Sequence, residues 1–225
     1  MTTKPREPDE ESHIYTEGLD YSQTEKISIW GTGDKDTLEL LSDIEIRGKW
    51  LNLAAGDGRY NLNLLEKADS VVASDIDESA LGKLKQNTPN NLREKLQTEV
   101  YDITKPFPFA DGSFDGVFCT GTLHLFPTEI LRQIISEIDR ILGTNGKLII
   151  DFATDIKRIL PDGKLYIRKS EPQYSLDEAA KFLRELLHNY QIQIIESEVP
   201  EEEIETRGFV YRFSCKFILL IADKK

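Results

Sequence analysis

The sequence has few of the residues that bind metals or form disulfide frameworks, and no apolar run long enough to cross a membrane. It has two cysteines and three histidines among 225 residues. Cys119 and Cys215 are too few for a disulfide framework and lack metal-ligand spacing. The longest strongly apolar run, Phe217 to Ala222, is far shorter than the roughly 20 residues of a membrane helix. We therefore expect a cytoplasmic protein without a metal site, a secretory signal or a membrane span.

Positive charge is also scarce. The chain has 28 Lys and Arg against 40 Asp and Glu, which gives a formal net charge of −12. Binding that depends mainly on nucleic-acid phosphates or an anionic membrane requires an excess of Lys and Arg, so we expect neither partner, unless a local basic patch overrides the average. Half of the net charge comes from six glutamates between Glu196 and Glu205, which we interpret as a solvated hairpin loop. The 39% hydrophobic content is that of an ordinary globular protein.

Apolar strand-like segments alternate with helical ones in the middle of the chain. The predicted strands are 49–54, 70–75, 96–101, 114–119 and 147–152. The strongest helical pattern, with isoleucines at 130, 134, 138 and 141, precedes the last of them. Strands separated by helices predict an α/β protein with a mostly parallel sheet and helices on both faces.

The pattern changes after Phe152. We predict an irregular connection from Ala153 to Tyr174, and then a helix that begins with the capping box Ser175-Leu-Asp-Glu178. Segments 191–199 and 209–222 follow as two strands, most simply paired antiparallel. We expect residues 1–45 to form a tail and a helical lid, and residues 46–225 to form one globular domain.

A glycine turn and a carboxylate indicate a nucleoside ligand. Strand 49–54 leads into Gly56-Asp-Gly58, and such a turn brings the backbone and free helical N–H groups close to a ligand, although it can also simply join a strand to a helix. Asp75 ends the next strand, where its carboxylate can accept both ribose hydroxyls; it can also cap a helix, but Asp77 is better placed for that. Dinucleotides and S-adenosylmethionine (SAM) both fit. A dinucleotide normally requires a third glycine, and Asn61 stands at that position.

Five motifs in order resemble those of class I SAM-dependent methyltransferases, in the large subgroup that includes quinone-biosynthesis enzymes. They lie at 51–59, 72–81, 102–118, 121–126 and 141–150, so the resemblance covers roughly residues 49–152. It implies a Rossmann-like, doubly wound, seven-stranded sheet with a C-terminal antiparallel pair, and methyl transfer from SAM to a small-molecule acceptor. The family's opening acid and first glycine are replaced by Asn52 and Ala54. An Asn carbonyl can still accept a hydrogen bond, and Ala54 is tolerable if its backbone angles are ordinary.

The resemblance also implies the cofactor-binding residues. Those expected at the methionine end are Asn52, Ala54, Gly56 and Gly58; at the ribose, Asp75; at the adenine, Ile76, Asp102 and Ile103; and closing the site, Thr120 and Gly121. Asp102 can alternatively be an ordinary turn carboxylate.

His124 is the candidate general base, because it follows the fourth strand and an imidazole titrates near neutrality; a purely structural hydrogen bond is the alternative. Tyr15, Tyr21 and Trp30 can belong to a lid or to the core. The basic residues of 158–169 can bind an acidic acceptor, but a solvated loop is favoured.

Three functions remain open from the sequence. The leading hypothesis is a SAM-dependent methyltransferase. An NAD(P)-dependent oxidoreductase is the alternative enzyme, since the glycine turn and Asp75 suit both cofactors. The replacements at Asn52 and Ala54 also allow a SAM-binding protein without turnover. The identity of the acceptor and the oligomeric state cannot be predicted from these residues.

Overall fold

The computed structural model describes residues 20–25, 27–168, 171–206 and 209–225. Its strands are β1 (Lys49–Leu53), β2 (Ser70–Asp75), β3 (Leu96–Val100), β4 (Phe114–Cys119), β5 (Leu142–Ile159), β6 (Tyr190–Thr206) and β7 (Phe209–Lys224). Its α-helices are α1 (Lys35–Asp43), α2 (Asn61–Lys67), α3 (Glu78–Asn87), α4 (Thr128–Ile141) and α5 (Leu176–Leu186). Tyr15 and Lys169, which the sequence singled out, lie outside the described residues.

The seven strands form one mixed sheet in the order β3-β2-β1-β4-β5-β7-β6. Strands β1 to β5 are parallel, whereas β7 pairs antiparallel with both β5 and β6. This confirms the predicted mostly parallel, Rossmann-like sheet with a C-terminal antiparallel pair. The chain order reverses between β1 and β4, and in such sheets ligands bind outside the carboxyl ends of the strands at this point.

Helices cover both faces, so the sheet separates two apolar cores. On one face, residues of α4 and α5 such as Ile134, Ile138 and Leu183 pack on Leu51 and Phe152. On the other face, apolar side chains of α1 and α2 pack against the opposite sides of β1, β4, β5 and β7. Strand residues therefore alternate between two buried environments, which explains why the parallel strands are apolar at nearly every position.

The helix boundaries have local causes that the sequence indicated. Asp77 accepts hydrogen bonds from the N–H groups of Ser79 and Ala80 at the start of α3, as expected for its cap. The capping box of Ser175 and Glu178 is present at the start of α5. Both caps satisfy backbone donors that have no partner within the helix.

Two strands, β5 and β6, extend much further than the sequence predicted. The connection predicted at 153–174 continues as β5 to Ile159, and the interpretation of Glu196 to Glu205 as a loop was wrong, because this segment lies within β6. Strand β7 pairs with both segments, with register shifts at Thr154/Lys157 and Val199/Glu202. Hydrogen bonding to β7 therefore keeps charged segments extended that have no apolar alternation of their own.

No helix among the described residues is long and apolar enough to cross a membrane.

Candidate functional site

The glycine turn after β1 has three alternating residues in the left-handed conformation. The φ angles are +53° at Ala54, +54° at Gly56 and +93° at Gly58. A Cβ on Gly58 would lie 2.8 Å from Leu84 Cγ, so glycine is required there for packing against α3. The backbone angles of Ala54 are therefore not ordinary, and an L-residue with a Cβ carries roughly 1–2 kcal/mol of strain in this region. This explains why a glycine is the better residue at the first position of the motif.

Asp75 joins the end of β2 to the glycine turn. Its Oδ2 accepts a hydrogen bond from the Gly56 N–H at 2.8 Å, and its Oδ1 accepts one from the Asp77 N–H at 2.9 Å. Burial raises the pKa of this carboxyl, and these backbone donors oppose the shift. The structure thus brings together the two features that the sequence used to predict a nucleoside ligand.

The expected adenine-side residues lie at the ends of β2 and β3. The apolar side chain of Ile76 is 38% exposed beside Asp75, whereas Ile103 is buried. Asp102 Oδ1 accepts hydrogen bonds from the backbone N–H of Thr104 at 2.8 Å and from its hydroxyl at 2.7 Å. Asp102 Oδ1 is therefore used within its own turn, whereas no described residue donates to its Oδ2.

Asn52 and Asn61 form a buried amide pair behind the glycine turn. Asn52 Nδ2 donates to Asn61 Oδ1 at 3.1 Å, and both side chains are at least 96% buried. Asn61 Nδ2 is itself buried with no partner among the described residues. The pair therefore has one acceptor, Asn52 Oδ1, and one donor, Asn61 Nδ2, for a ligand with both an ammonium and a carboxylate group. The sequence identified Asn61 only as a missing glycine.

Asp57, between the two glycines, fixes the segment that precedes α1. Its carboxylate accepts hydrogen bonds from the Ser28 hydroxyl and from the Ile29 N–H, each at 2.7 Å. The next residue, Trp30, is 48% exposed, and its Nε1 lies 3.8 Å from where a Cβ on Gly56 would be. An aromatic ring therefore lies beside the glycine turn. Nothing in the sequence pattern distinguishes Asp57 beyond its place in the turn.

Tyr21 differs from Trp30 in that it is 5% exposed and its N–H donates to Ser79 Oγ of α3 at 3.5 Å. Tyr21 thus fits the core alternative.

At the end of β4, Thr120 and Gly121 lie next to a carboxylate that sequence reasoning missed. The Gly121 N–H donates to Asp151 Oδ1 at 2.6 Å, and Gly121 has a φ of +69° with no atom within 4 Å of where a Cβ would be. Asp151 is 6% exposed, and burial raises its pKa to about 7. Asp151 could have been identified from the sequence, because it is the single charged residue in the otherwise apolar strand segment Leu148 to Phe152.

His124 lies after β4 on the α4/α5 side of the sheet. Its ring packs edge-on against Phe152, with 6.3 Å between centroids, and its Nδ1 is buried without a partner among the described residues. Burial, reinforced by the positive charges of Arg158 and Arg168, lowers the His124 pKa to about 3. The imidazole is therefore neutral at physiological pH, but it is a much weaker base than the near-neutral titration assumed from the sequence.

Arg158 is neither on a solvated loop nor available to an acidic ligand. It lies in β5, and its guanidinium makes a two-pronged contact with Glu171 at 2.6 and 2.8 Å. Both side chains are at most 5% exposed. The buried pair neutralises Arg158, which is one of the basic residues on which the acidic-acceptor interpretation depended.

Comparisons with known proteins agree with this geometry. Residues 51–150 match the methyltransferase domain family. The chain is 33% identical over 98 residues to an uncharacterized methyltransferase of Synechocystis, covering 44% of this chain and 43% of that protein. It is 32% identical over 103 residues to a glycine/sarcosine N-methyltransferase of Parasynechococcus marenigrum, covering 45% and 36%. The chain thus matches less than half the length of these curated relatives.

Solved structures share the fold at lower identity. The YcgJ protein of Bacillus subtilis has a TM-score of 0.64 at 16% identity, covering 85% of this chain and 99% of that one. DhpI, solved as a complex with SAH (S-adenosylhomocysteine), has a TM-score of 0.59 at 19% identity, covering 83% and 81%. By its match at residues 51–150 this chain carries a methyltransferase domain, and its fold is the one that the YcgJ protein and DhpI share.

Proposed function

We propose that this protein transfers the methyl group of SAM to a small-molecule acceptor. The observation that carries the proposal is the position of Asp75. Its carboxylate ends β2 at the reversal of strand order, is hydrogen-bonded to the Gly56 N–H, and lies beside the exposed apolar side chain of Ile76. A ribose diol and a purine face require this combination of a carboxylate and an apolar surface.

The side chains fit SAM at both ends. Asp75 would hold the ribose, Ile76 would pack on the adenine, and Asp102 Oδ2 would accept from the adenine amino group. Asn52 Oδ1 and Asn61 Nδ2 would pair with the ammonium and carboxylate of the methionine part. Gly56, Gly58, Ile103, Thr120 and Gly121 would form the surrounding walls, and Ala54 would shape the turn. When bound, SAM supplies an electrophilic methyl carbon whose bond to sulfur breaks, with the electron pair remaining on sulfur, as the acceptor's lone pair bonds to carbon.

The remaining task of this chain is to align the acceptor and exclude water, which are the main requirements of an in-line displacement. The Ser28 and Ile29 contacts to Asp57 hold Trp30 next to Gly56, at the methionine end of the site. The indole ring would shield this end from solvent.

Calorimetric titration with SAH and with NAD(H) separates the two enzyme classes. We expect SAH to bind and NAD(H) not to bind, because Asn61 occupies the position of the glycine that a pyrophosphate requires. Asp75→Asn should weaken SAH binding about 10- to 100-fold, since hydrogen bonds to a charged group contribute about 1.5–3 kcal/mol. Asp162→Asn, the same change in an exposed turn, is the control. Binding of NAD(H) alone would refute the proposal.

A binding protein without turnover is tested separately, with labelled SAM. Incubation with the small-molecule fraction of a cell extract should give a labelled product in the wild-type protein and a much smaller amount in Asp75→Asn. Firm SAH binding without any label would favour the non-catalytic alternative.

For His124 we propose a role at the acceptor rather than at the cofactor. His124→Ala should lower the rate of methyl transfer about 10-fold, because the buried neutral imidazole has an unpartnered Nδ1 that can position a ligand by a hydrogen bond, and it should change the SAH dissociation constant little. His188→Ala, a change at an exposed histidine, is the control. An unchanged rate in His124→Ala would assign the ring a packing role against Phe152.

A further inference from the structure

Asp151 has an oxygen that the fold leaves without a partner. Its Oδ1 accepts from the Gly121 N–H at 2.6 Å, while no described residue donates to its Oδ2. The side chain is 6% exposed and lines a cavity of about 280 Å³. A largely buried carboxylate that accepts a single hydrogen bond is costly to ionise, and a ligand in the cavity that donates to it would lower this cost.

The cavity lies next to the proposed cofactor site. In the sheet order, the ribose carboxylate belongs to β2, the glycine turn follows β1, Thr120 and Gly121 follow β4, and Asp151 is on the adjacent strand β5. Asp151 is also bonded directly to the Gly121 backbone. The cavity therefore adjoins Gly121 at the edge of the proposed cofactor site and lies two strands from the glycine turn after β1.

The walls of the cavity are apolar on one side and acidic on the other. Phe217 and Leu219 of β7 line it together with Val199 and Pro200 of β6. A volume of about 280 Å³ suits a small molecule, because a water molecule's share of liquid volume is about 30 Å³.

The charges around the cavity are mainly negative. Its lining includes the carboxylates of Asp34, Asp36, Asp151 and Glu198 and one cation, Lys35. The side chain of Lys35 is 83% exposed, and its Nζ lies 3.7 Å from Glu39, a residue that does not line the cavity. Arg59 pairs with Asp34 at 3.3 Å and offsets one of the negative charges. A carboxylate or phosphate ligand would be repelled here, whereas a cationic ligand would be attracted.

We propose that this cavity binds the methyl acceptor, that the acceptor is a small amine bound as its ammonium ion, and that Asp151 removes the proton that blocks the nitrogen lone pair. This inference rests on the proposed function. The ammonium ion gives one proton to Asp151 Oδ2 and becomes a neutral amine. The freed lone pair forms the N–C bond to the methyl group as the C–S bond breaks, and the product is again an ammonium ion. Asp151 then releases its proton to solvent when the product leaves.

The environment of Asp151 makes it a suitable proton acceptor. An ordinary carboxylate is a poor base for an amine, whose pKa is near that of Lys at about 10.4. Burial raises the Asp151 pKa and so brings its basicity closer to that of the amine. The nearby ionisable groups that face it are Asp34, Lys35 and Asp36 at the start of α1, Arg59 after the glycine turn, Glu198 of β6 and Cys119 of β4.

The decisive experiment uses the wild-type protein and blocks amines in the acceptor mixture. The small-molecule fraction of a cell extract is divided, and one half is treated with acetic anhydride in water to acetylate its amines. Each half is then incubated with the protein and labelled SAM, and products are separated on a cation exchanger. We expect a retained labelled product from the untreated half, and a loss of at least 10-fold from the acetylated half. Undiminished label in the acetylated half would overturn the amine inference while leaving the proposed function intact. No label in either half would overturn both.

A variant tests Asp151 itself. Asp151→Asn keeps an oxygen for the Gly121 N–H but cannot take up a proton. We expect turnover of the retained product to fall about 100-fold or more, with the SAH dissociation constant changed less than about 3-fold. Wild-type turnover should also decline as pH falls below about 7, and this decline should be absent from the residual activity of Asp151→Asn. Equal turnover, or the same pH profile in both proteins, would overturn the role of Asp151. Asp162→Asn is again the matched control.

Discussion

Replacing Asp151 with Asn should change how the stability of the protein depends on pH, independently of any catalysis. In the folded protein the Asp151 pKa is about 7, against an ordinary value of 3.8. Between these values the unfolded chain has already lost the proton that the folded chain still holds. Unfolding therefore releases a proton, and the free energy of unfolding of the wild type falls as pH rises through this window. Asp151→Asn has no such proton, so its stability lacks this fall.

The magnitude follows from the size of the shift. Each unit of pKa difference corresponds to about 1.4 kcal/mol, so about three units give an upper limit of about 4 kcal/mol once pH exceeds 7. Between pH 5 and pH 8 the free energy of unfolding of Asp151→Asn should rise by about 2–3 kcal/mol relative to wild type. The absolute difference at one pH also includes the cost of the new amide, so the change with pH is the informative quantity.

Urea denaturation without cofactor, followed by circular dichroism at several pH values, measures this difference. The control Asp162→Asn alters an exposed turn carboxylate, and its stability should run parallel to that of wild type from pH 5 to pH 8. If Asp151→Asn also runs parallel to wild type, the carboxylate is ionised without penalty in the fold. Burial would then not raise the Asp151 pKa, and a raised basicity at this position would no longer be expected.

Three further changes test the glycine turn and its surroundings. Asn52→Asp should tighten SAH binding about 5- to 30-fold in calorimetry, because a charge replaces a neutral acceptor for the ammonium group; equal or weaker binding would contradict the assigned contact. Gly58→Ala should destabilise the protein by about 2–4 kcal/mol in urea denaturation, because Gly58 has a positive φ and lies close to Leu84 of α3. Gly82→Ala is the control, since Gly82 lies in α3 with open space where a Cβ would be, and it should stabilise the protein by about 0.5–1 kcal/mol. If both alanines have the same effect, the close packing is not what requires glycine. Asp57→Ala should release the segment that carries Trp30 and increase quenching of its fluorescence by acrylamide; unchanged quenching would mean that other contacts hold the segment.

The local features of the fold were predictable because their causes are local. The isoleucine period of α4, the caps at Asp77 and Ser175, and the apolar strands each depend on neighbouring residues, so the sequence was enough to identify them. The pairing of Asp75 with the glycine turn was also predictable, because parallel strands bring their carboxyl ends to the same edge.

The extent of the long strands was decided only by tertiary structure. Nothing in the Glu-rich segment within β6 favours a strand by itself, and its extended conformation depends on hydrogen bonds to β7. The same is true of β5 beyond Phe152. Propensity describes a residue's own preference, whereas a sheet partner supplies stabilisation that no local pattern records.

The properties of the site residues were decided in the same way. Ala54 was recognised as a replacement for glycine, but its positive φ follows from how the whole turn packs. His124 was selected for an ordinary imidazole pKa, which burial and two distant arginines lower. The sequence shows Asp151 as a charged residue in an apolar strand, but the cavity beside it is formed by residues of β6, β7 and the start of α1. The sequence by itself determined the methyltransferase motifs at 51–150 and the mostly parallel sheet, because these depend on local patterns. The electrostatics and the acceptor side depend on groups brought together from distant parts of the chain, and these only the folded structure decided.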